Sequence, residues 1–193
     1  MANTSAPFGL QPLGITGASP NFETTWTKIA SGNATKIFRG DIIKQLSTGY
    51  VAQWTAGTSA VSMAGVFWGC KYMSTSQGRT IYSQYWPGAD AASDPDCEFI
   101  STILMPSMKF KAQCGATNIQ LAQIGENVDI VVGTGSTTTF QSGSVLDSAN
   151  TATTNTLPLR IVKLWNGIGN GSDSTTGYNI VIVQANISAQ AGT

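Results

Sequence analysis

The side chains that could do chemistry are few in this sequence, and their spacing argues against a reaction centre. None of its 193 residues is histidine. That removes the commonest general base and the commonest transition-metal ligand together. The one carboxylate cluster is Asp90, Asp94, Asp96 and Glu98. Asp94-Pro95-Asp96 offers oxygen donors to a hard cation such as Ca²⁺, which takes about six to eight of them. The spacing is not that of an EF-hand and lacks its closing glutamate, so a solvated loop between strands is the expected role. A glycosidase needs two carboxylates about 5–9.5 Å apart across a sugar cleft, and nothing in the spacing favours one. Ser and Thr are abundant, but a hydroxyl nucleophile needs a base beside it. No spacing recommends a Ser-Lys pair. The expectation is a protein that is not an enzyme, with no metal and no cofactor.

Other short patterns resolve in the same way. The three cysteines, Cys70, Cys97 and Cys114, stand far apart with no Cys-x-x-Cys. An odd count argues against a closed disulfide framework, and buried free thiols packing as small hydrophobes are expected. Arg39-Gly40-Asp41 spells an integrin-binding tripeptide. It stands in a strand-like run, where Gly and Asp mark a turn or bulge. Asn3-Thr4-Ser5, Asn33-Ala34-Thr35, Asn170-Gly171-Ser172 and Asn186-Ile187-Ser188 match the glycosylation sequon; with no secretory pattern they read as composition. Gly133-Thr134-Gly135 is not a dinucleotide fingerprint, because no helical pattern follows it.

Charge narrows the partners. Only 10% of residues are charged, against about 25% in an average soluble domain. Lys plus Arg and Asp plus Glu balance at 10 each. A nucleic-acid groove needs clustered Lys and Arg. The closest approach is Lys36, Arg39 and Lys44, with Asp41 among them, so no binding of free nucleic acid is expected. No run is long and apolar enough to span a membrane. Near-zero net charge favours self-association, which suits a protein that lives in an assembly.

The elements that would position these residues are strands throughout. Residues 36–46 carry two short strands' worth of signal around Gly40-Asp41. Ser47-Thr48-Gly49 turns the chain, and residues 50–54 answer as a hairpin partner. Residues 61–73 form an aromatic, β-branched run in which Gly65 and Gly69 predict a bulge or close backbone approach. Strands follow at 79–86, 97–105, 108–114, 128–132, 157–165 and 178–185, with one helical turn within 118–124. On 108–114 the apolar face ends at Cys114. The fold class is all-β, a β-barrel or β-sandwich of β-tulip or jelly-roll type, with no long helix. Residues 21–193 form that domain, with a long Ser/Thr/Gly loop at 133–156 that we expect to pack on a neighbouring subunit.

Residues 1–20 read as an extended arm. The stretch 1–13 has no basic n-region and no apolar h-region, so it is not a signal peptide. Pro7 and Pro12 exclude a helix. Phe8 and Leu10 stand out as apolar handles, and Pro7, Phe8, Leu10 and Pro12 are the candidate partner contacts. Trp54, Trp86 and Trp165 are candidates for stacking on sugar rings, although the core is the commoner place for each.

The opening Met1-Ala2-Asn3-Thr4-Ser5-Ala6-Pro7-Phe8-Gly9-Leu10-Gln11-Pro12-Leu13 resembles the start of small virion structural proteins of tailed bacteriophages. Gly40-Asp41-Ile42-Ile43, Gly49-Tyr50-Val51 and Ala64-Gly65-Val66 resemble phage head decoration proteins, as do Asn127-Val128-Asp129 and Thr156-Leu157-Pro158-Leu159-Arg160-Ile161. The chain is longer than the smallest of these at its C-terminal end. The resemblance implies a capsid cement protein, made in the bacterial cytoplasm. It would bind the major capsid protein on the capsid exterior as a homotrimer and clamp neighbouring capsomers. A tail, neck or spike component, or a carbohydrate-binding β-module, is the alternative expectation.

Overall fold

The computed structural model describes residues 2–15, 24–30, 32–58, 62–91, 98–102 and 108–186. Their strands are β1 (Gln11–Ile15), β2 (Thr24–Lys28), β3 (Ile37–Phe38), β4 (Ile42–Gln45), β5 (Val51–Gln53), β6 (Met63–Ser74), β7 (Arg79–Ser83) and β8 (Tyr85–Trp86). Then follow β9 (Glu98–Thr102), β10 (Met108–Gln113), β11 (Asn127–Val128), β12 (Ile130–Val131), β13 (Val145–Leu146), β14 (Leu159–Leu164) and β15 (Ile180–Ala185). A 3-10 turn, Leu121–Gln123, falls where the helical turn was expected.

Two larger antiparallel sheets carry the fold. One runs β1-β10-β15-β14-β11; the other runs β2-β9-β6-β4-β5, with β7 also paired to β6. The expected all-β class is correct, and the arrangement is sandwich-like. A lone parallel bridge between Ile29 and Val51 brings the ends of the six-stranded sheet together at one point. The sheet does not close into a barrel.

Adjacent residues of the central strands serve two different cores. Successive side chains on a strand point to opposite faces. On β4, Ile42 enters a core shared with Phe110, Leu146 and Val183, while Ile43 enters a second core with Ile37, Tyr72 and Trp86. On β6, Val66 and Phe67 divide in the same way. These central strands are therefore apolar on both faces. On β10, Met108, Phe110, Ala112 and Cys114 point inward as their spacing predicts. Pairing shifts register beside Gly65 and again between Phe67 and Gly69, so both glycines of β6 mark irregularities.

The expectation of a free arm is corrected here. Residues 2–15 are not a free arm: β1 pairs with β10 from Gln11 opposite Lys111 to Ile15 opposite Met108, and Leu10 is only 1% exposed. An extended segment can satisfy its backbone groups by completing a sheet of its own domain, and this one does. Residues 16–20 of the expected arm lie outside the described residues. The stretch 133–156, expected to pack on a neighbouring subunit, has anchors in its own chain. Ser142, Ser144 and Leu146 are buried in the same chain. The Phe140 ring stacks on Tyr85 at 5.3 Å, and Tyr85 stacks on Phe38 at 5.7 Å.

Cys70 and Cys114 are buried, and Cys97 lies outside the described residues. The Cys70 thiol donates to the Tyr85 carbonyl at 3.1 Å, and burial pushes the Cys114 thiol up to about 12. Thiolate is the reactive form. Iodoacetamide at pH 8 should leave both untouched in the native protein and label both in urea, as read by peptide mass mapping. Native labelling of Cys114 would contradict its placement.

Candidate functional site

The N-terminal segment is laced down by side-chain amides. Asn3 donates through Nδ2 to the carbonyls of Asp173 (2.6 Å) and Gly177 (3.1 Å), and its Oδ1 accepts from Gly171 N at 2.9 Å. Thr4 and Asn170 form a reciprocal pair: Thr4 N donates to Asn170 Oδ1 at 2.7 Å, and Asn170 Nδ2 donates to Thr4 O at 2.9 Å. Buried Gln113 accepts from Ala6 N at 2.9 Å and donates to Thr4 O at 3.0 Å. An amide side chain offers both a donor and an acceptor, so it can stand in for a neighbouring strand. The glycine-rich turn after β14 thereby receives the first residues of the chain.

Next the segment crosses the Arg39-Gly40-Asp41 corner. Leu10 N donates to Gly40 O at 2.8 Å. A Cβ on Gly9 would lie 2.5 Å from that same oxygen, and Gly9 has φ +68°. Both facts require glycine there. Asp41 is not an accessible ligand: its carboxylate is buried and accepts from Phe38 N, Gln53 Nε2, Ser142 Oγ and Ser144 Oγ at 2.8, 2.9, 2.5 and 2.9 Å. Burial raises its pKa, and these donors oppose the rise. The tripeptide is a structural corner, as the turn reading expected.

Beside this crossing lies an open groove of about 460 Å³, lined by Ala6, Phe8, Leu10, Gln11, Arg39, Gly40, Trp68, Lys111 and Gln141. Its walls come from both large sheets. The Arg39 guanidinium lies 3.8 Å above the centre of the Trp68 ring. The Lys111 ammonium lies 4.3 Å from the Trp165 ring centre and 5.7 Å from that of Phe8. Such contacts attract a cation to the ring face and hold its side chain in place. No carboxylate lines the groove.

The predicted site residues separate here. Phe8 lines the groove and is half-buried with Pro7 beside it, Leu10 is core, and Pro12 sits half-buried at the irregularity of β1. Leu10 is therefore corrected from a partner contact to a core residue, because β1 carries it between the sheets. Trp54 and Trp86 are likewise core, donating to Asp129 Oδ1 at 3.1 Å and to Asn33 O at 3.0 Å. Trp165 alone of the three tryptophans reaches the groove rim, through Lys111. Sequence reasoning missed Trp68, Lys111 and Gln141. The alternation of β10 placed Lys111 on the outer face and was the available signal; nothing local linked it to Arg39.

Of the carboxylate cluster, Asp90 is the member whose side chain is described. Asp90 accepts from Ser74 Oγ at 2.7 Å, Ser76 N at 3.0 Å and Thr75 Oγ1 at 3.1 Å. It clasps the turn between β6 and β7, and these donors hold its carboxyl down at about 2. Asp94 and Asp96 lie outside the described residues. The backbone of Glu98 stands in register between Lys28 and Lys71. Among the described residues no group of three His, Cys, Asp or Glu could hold a metal ion, and no helix is long and apolar enough to cross a membrane. No family model, curated protein or solved structure matches the chain.

Proposed function

We propose that this chain is a non-enzymatic cement or decoration protein of a tailed-phage head, bound to the capsid exterior as an oligomer and bridging neighbouring capsomers. The sequence resemblance supplies the class. The structural observation that carries the reading is β2. Among the described residues, this outer strand of Thr24–Lys28 has no strand on its far side beyond the single bridge at Ile29. Its centre is Trp26, 48% exposed. Proteins that stay monomeric blunt such edges with charge, proline or a cover. β2 carries charge only at its end, Lys28, and a Thr-rich edge with a central exposed tryptophan suits burial against another subunit, where aromatic anchors contribute most.

Purified protein should co-sediment with heads that lack it, and should sediment as a trimer on its own. Trp26→Glu should weaken head binding at least tenfold while leaving thermal unfolding within a few degrees of wild type. Wild-type protein that fails to associate with heads would overturn the reading.

A further inference from the structure

We infer that the groove between the N-terminal segment and the Arg39-Gly40 corner is a docking site for an acidic, extended segment of a partner protein chain. Charge complementarity is the first argument. In a chain with only ten cationic side chains, two line one groove with no acid among the lining residues. Neither Arg39 nor Lys111 has a carboxylate partner among the described residues; Arg39 reaches only Gln84 Oε1, at 3.4 Å. Each is steadied over a ring instead. A guanidinium held over a ring in this way loses little freedom when its fork meets a carboxylate.

The second argument selects a peptide over a sugar. Sugar binding uses a bare aromatic face, and here the cations lie over the Trp68 and Trp165 rings. The groove also borders β1 through Gln11, and β1 is the outermost strand of its sheet, with no further strand beyond it among the described residues. An extended peptide can add main-chain hydrogen bonds at such an edge while its acidic side chains reach the cations. That the partner is a virion subunit rests on the function proposed above; the chemistry of the groove does not.

The test uses full-length protein and a short fluorescent peptide alternating Glu and Val, with a Gln-for-Glu version as control. The Glu peptide should bind saturably, lose affinity with added salt, and weaken at least tenfold in the Arg39→Gln/Lys111→Gln double variant. Thermal unfolding of that variant checks its fold, and Lys109→Gln, on the same strand but outside the groove lining, should bind like wild type. Equal binding of the Gln peptide, or unchanged binding by a folded double variant, would overturn the inference. So would saturable binding of oligogalacturonate without binding of the peptide. No heads enter this assay. Loss of peptide binding with head binding retained removes the groove alone, and the converse removes only the cement reading.

Discussion

Deleting residues 2–15 is expected to abolish cooperative folding rather than release a compact core from an appendage. The segment contributes Leu10 to the main core, the whole of β1, and the amide lacing from Asn3 and Thr4 to the turn after β14. Burying one leucine contributes about 1.5–3 kcal/mol, against a net stability of roughly 5–15 kcal/mol for a typical domain. The strand and the lacing come in addition, so the loss takes most of that margin. Urea unfolding followed by tryptophan fluorescence measures it. A truncated chain with a wild-type midpoint would show that the segment is dispensable. Gly9→Ala is the sharper variant. It puts a side chain at φ +68° and a methyl group 2.5 Å from Gly40 O, which should cost about 2–4 kcal/mol. Phe8→Ala, at a half-buried position, should cost less.

Asp41→Ala is expected to be the most damaging single substitution away from that segment, at roughly 2–5 kcal/mol. It leaves Phe38 N, Gln53, Ser142 and Ser144 without their common acceptor, and it frees the loop that those serines anchor. Asp41→Asn keeps one acceptor oxygen and separates shape from charge. The pH dependence distinguishes them further. Burial raises the Asp41 pKa above 3.8, so the folded state holds that proton more tightly than the unfolded chain. Its contribution is fully present below 3.8 and is lost as pH rises through the folded value. The stability of wild type relative to Asp41→Asn should therefore fall with rising pH. Asp90 has the opposite sign. Its carboxyl is held at about 2, below the ordinary 3.8, so its contribution is present above 3.8 and lost as pH falls toward 2. Urea midpoints of wild type, Asp41→Asn and Asp90→Asn across acidic pH test both signs; parallel profiles would refute them.

Much of the β architecture was legible because it is written in local alternation. Met108, Phe110, Ala112 and Cys114 declare one face of β10 without reference to anything distant, and Ser47-Thr48-Gly49 declares the β4–β5 hairpin. The adjacent pair Ile42-Ile43 was visible as a strand, but not as a strand between two cores. That depends on which sheets lie above and below it. The groove was illegible for a related reason. Arg39 and Trp68, Lys111 and Trp165, and Phe8 are brought together by crossings between sheets, and no spacing along the chain encodes those meetings.

Strand periodicity, the missing histidine, the three scattered cysteines and the neutral composition are properties of the chain itself. They determined an all-β protein with little material for acid–base chemistry, because side-chain type and period-two alternation need no partner to be read. Only the tertiary structure decided that the proline-marked N-terminus completes a sheet, that Asp41 ties the loop at 142–144 to the Gly40 corner, and that two cations share a groove. Each of these depends on residues about 30 to 170 positions apart in contact, and long-range closure is set by the packing of whole sheets.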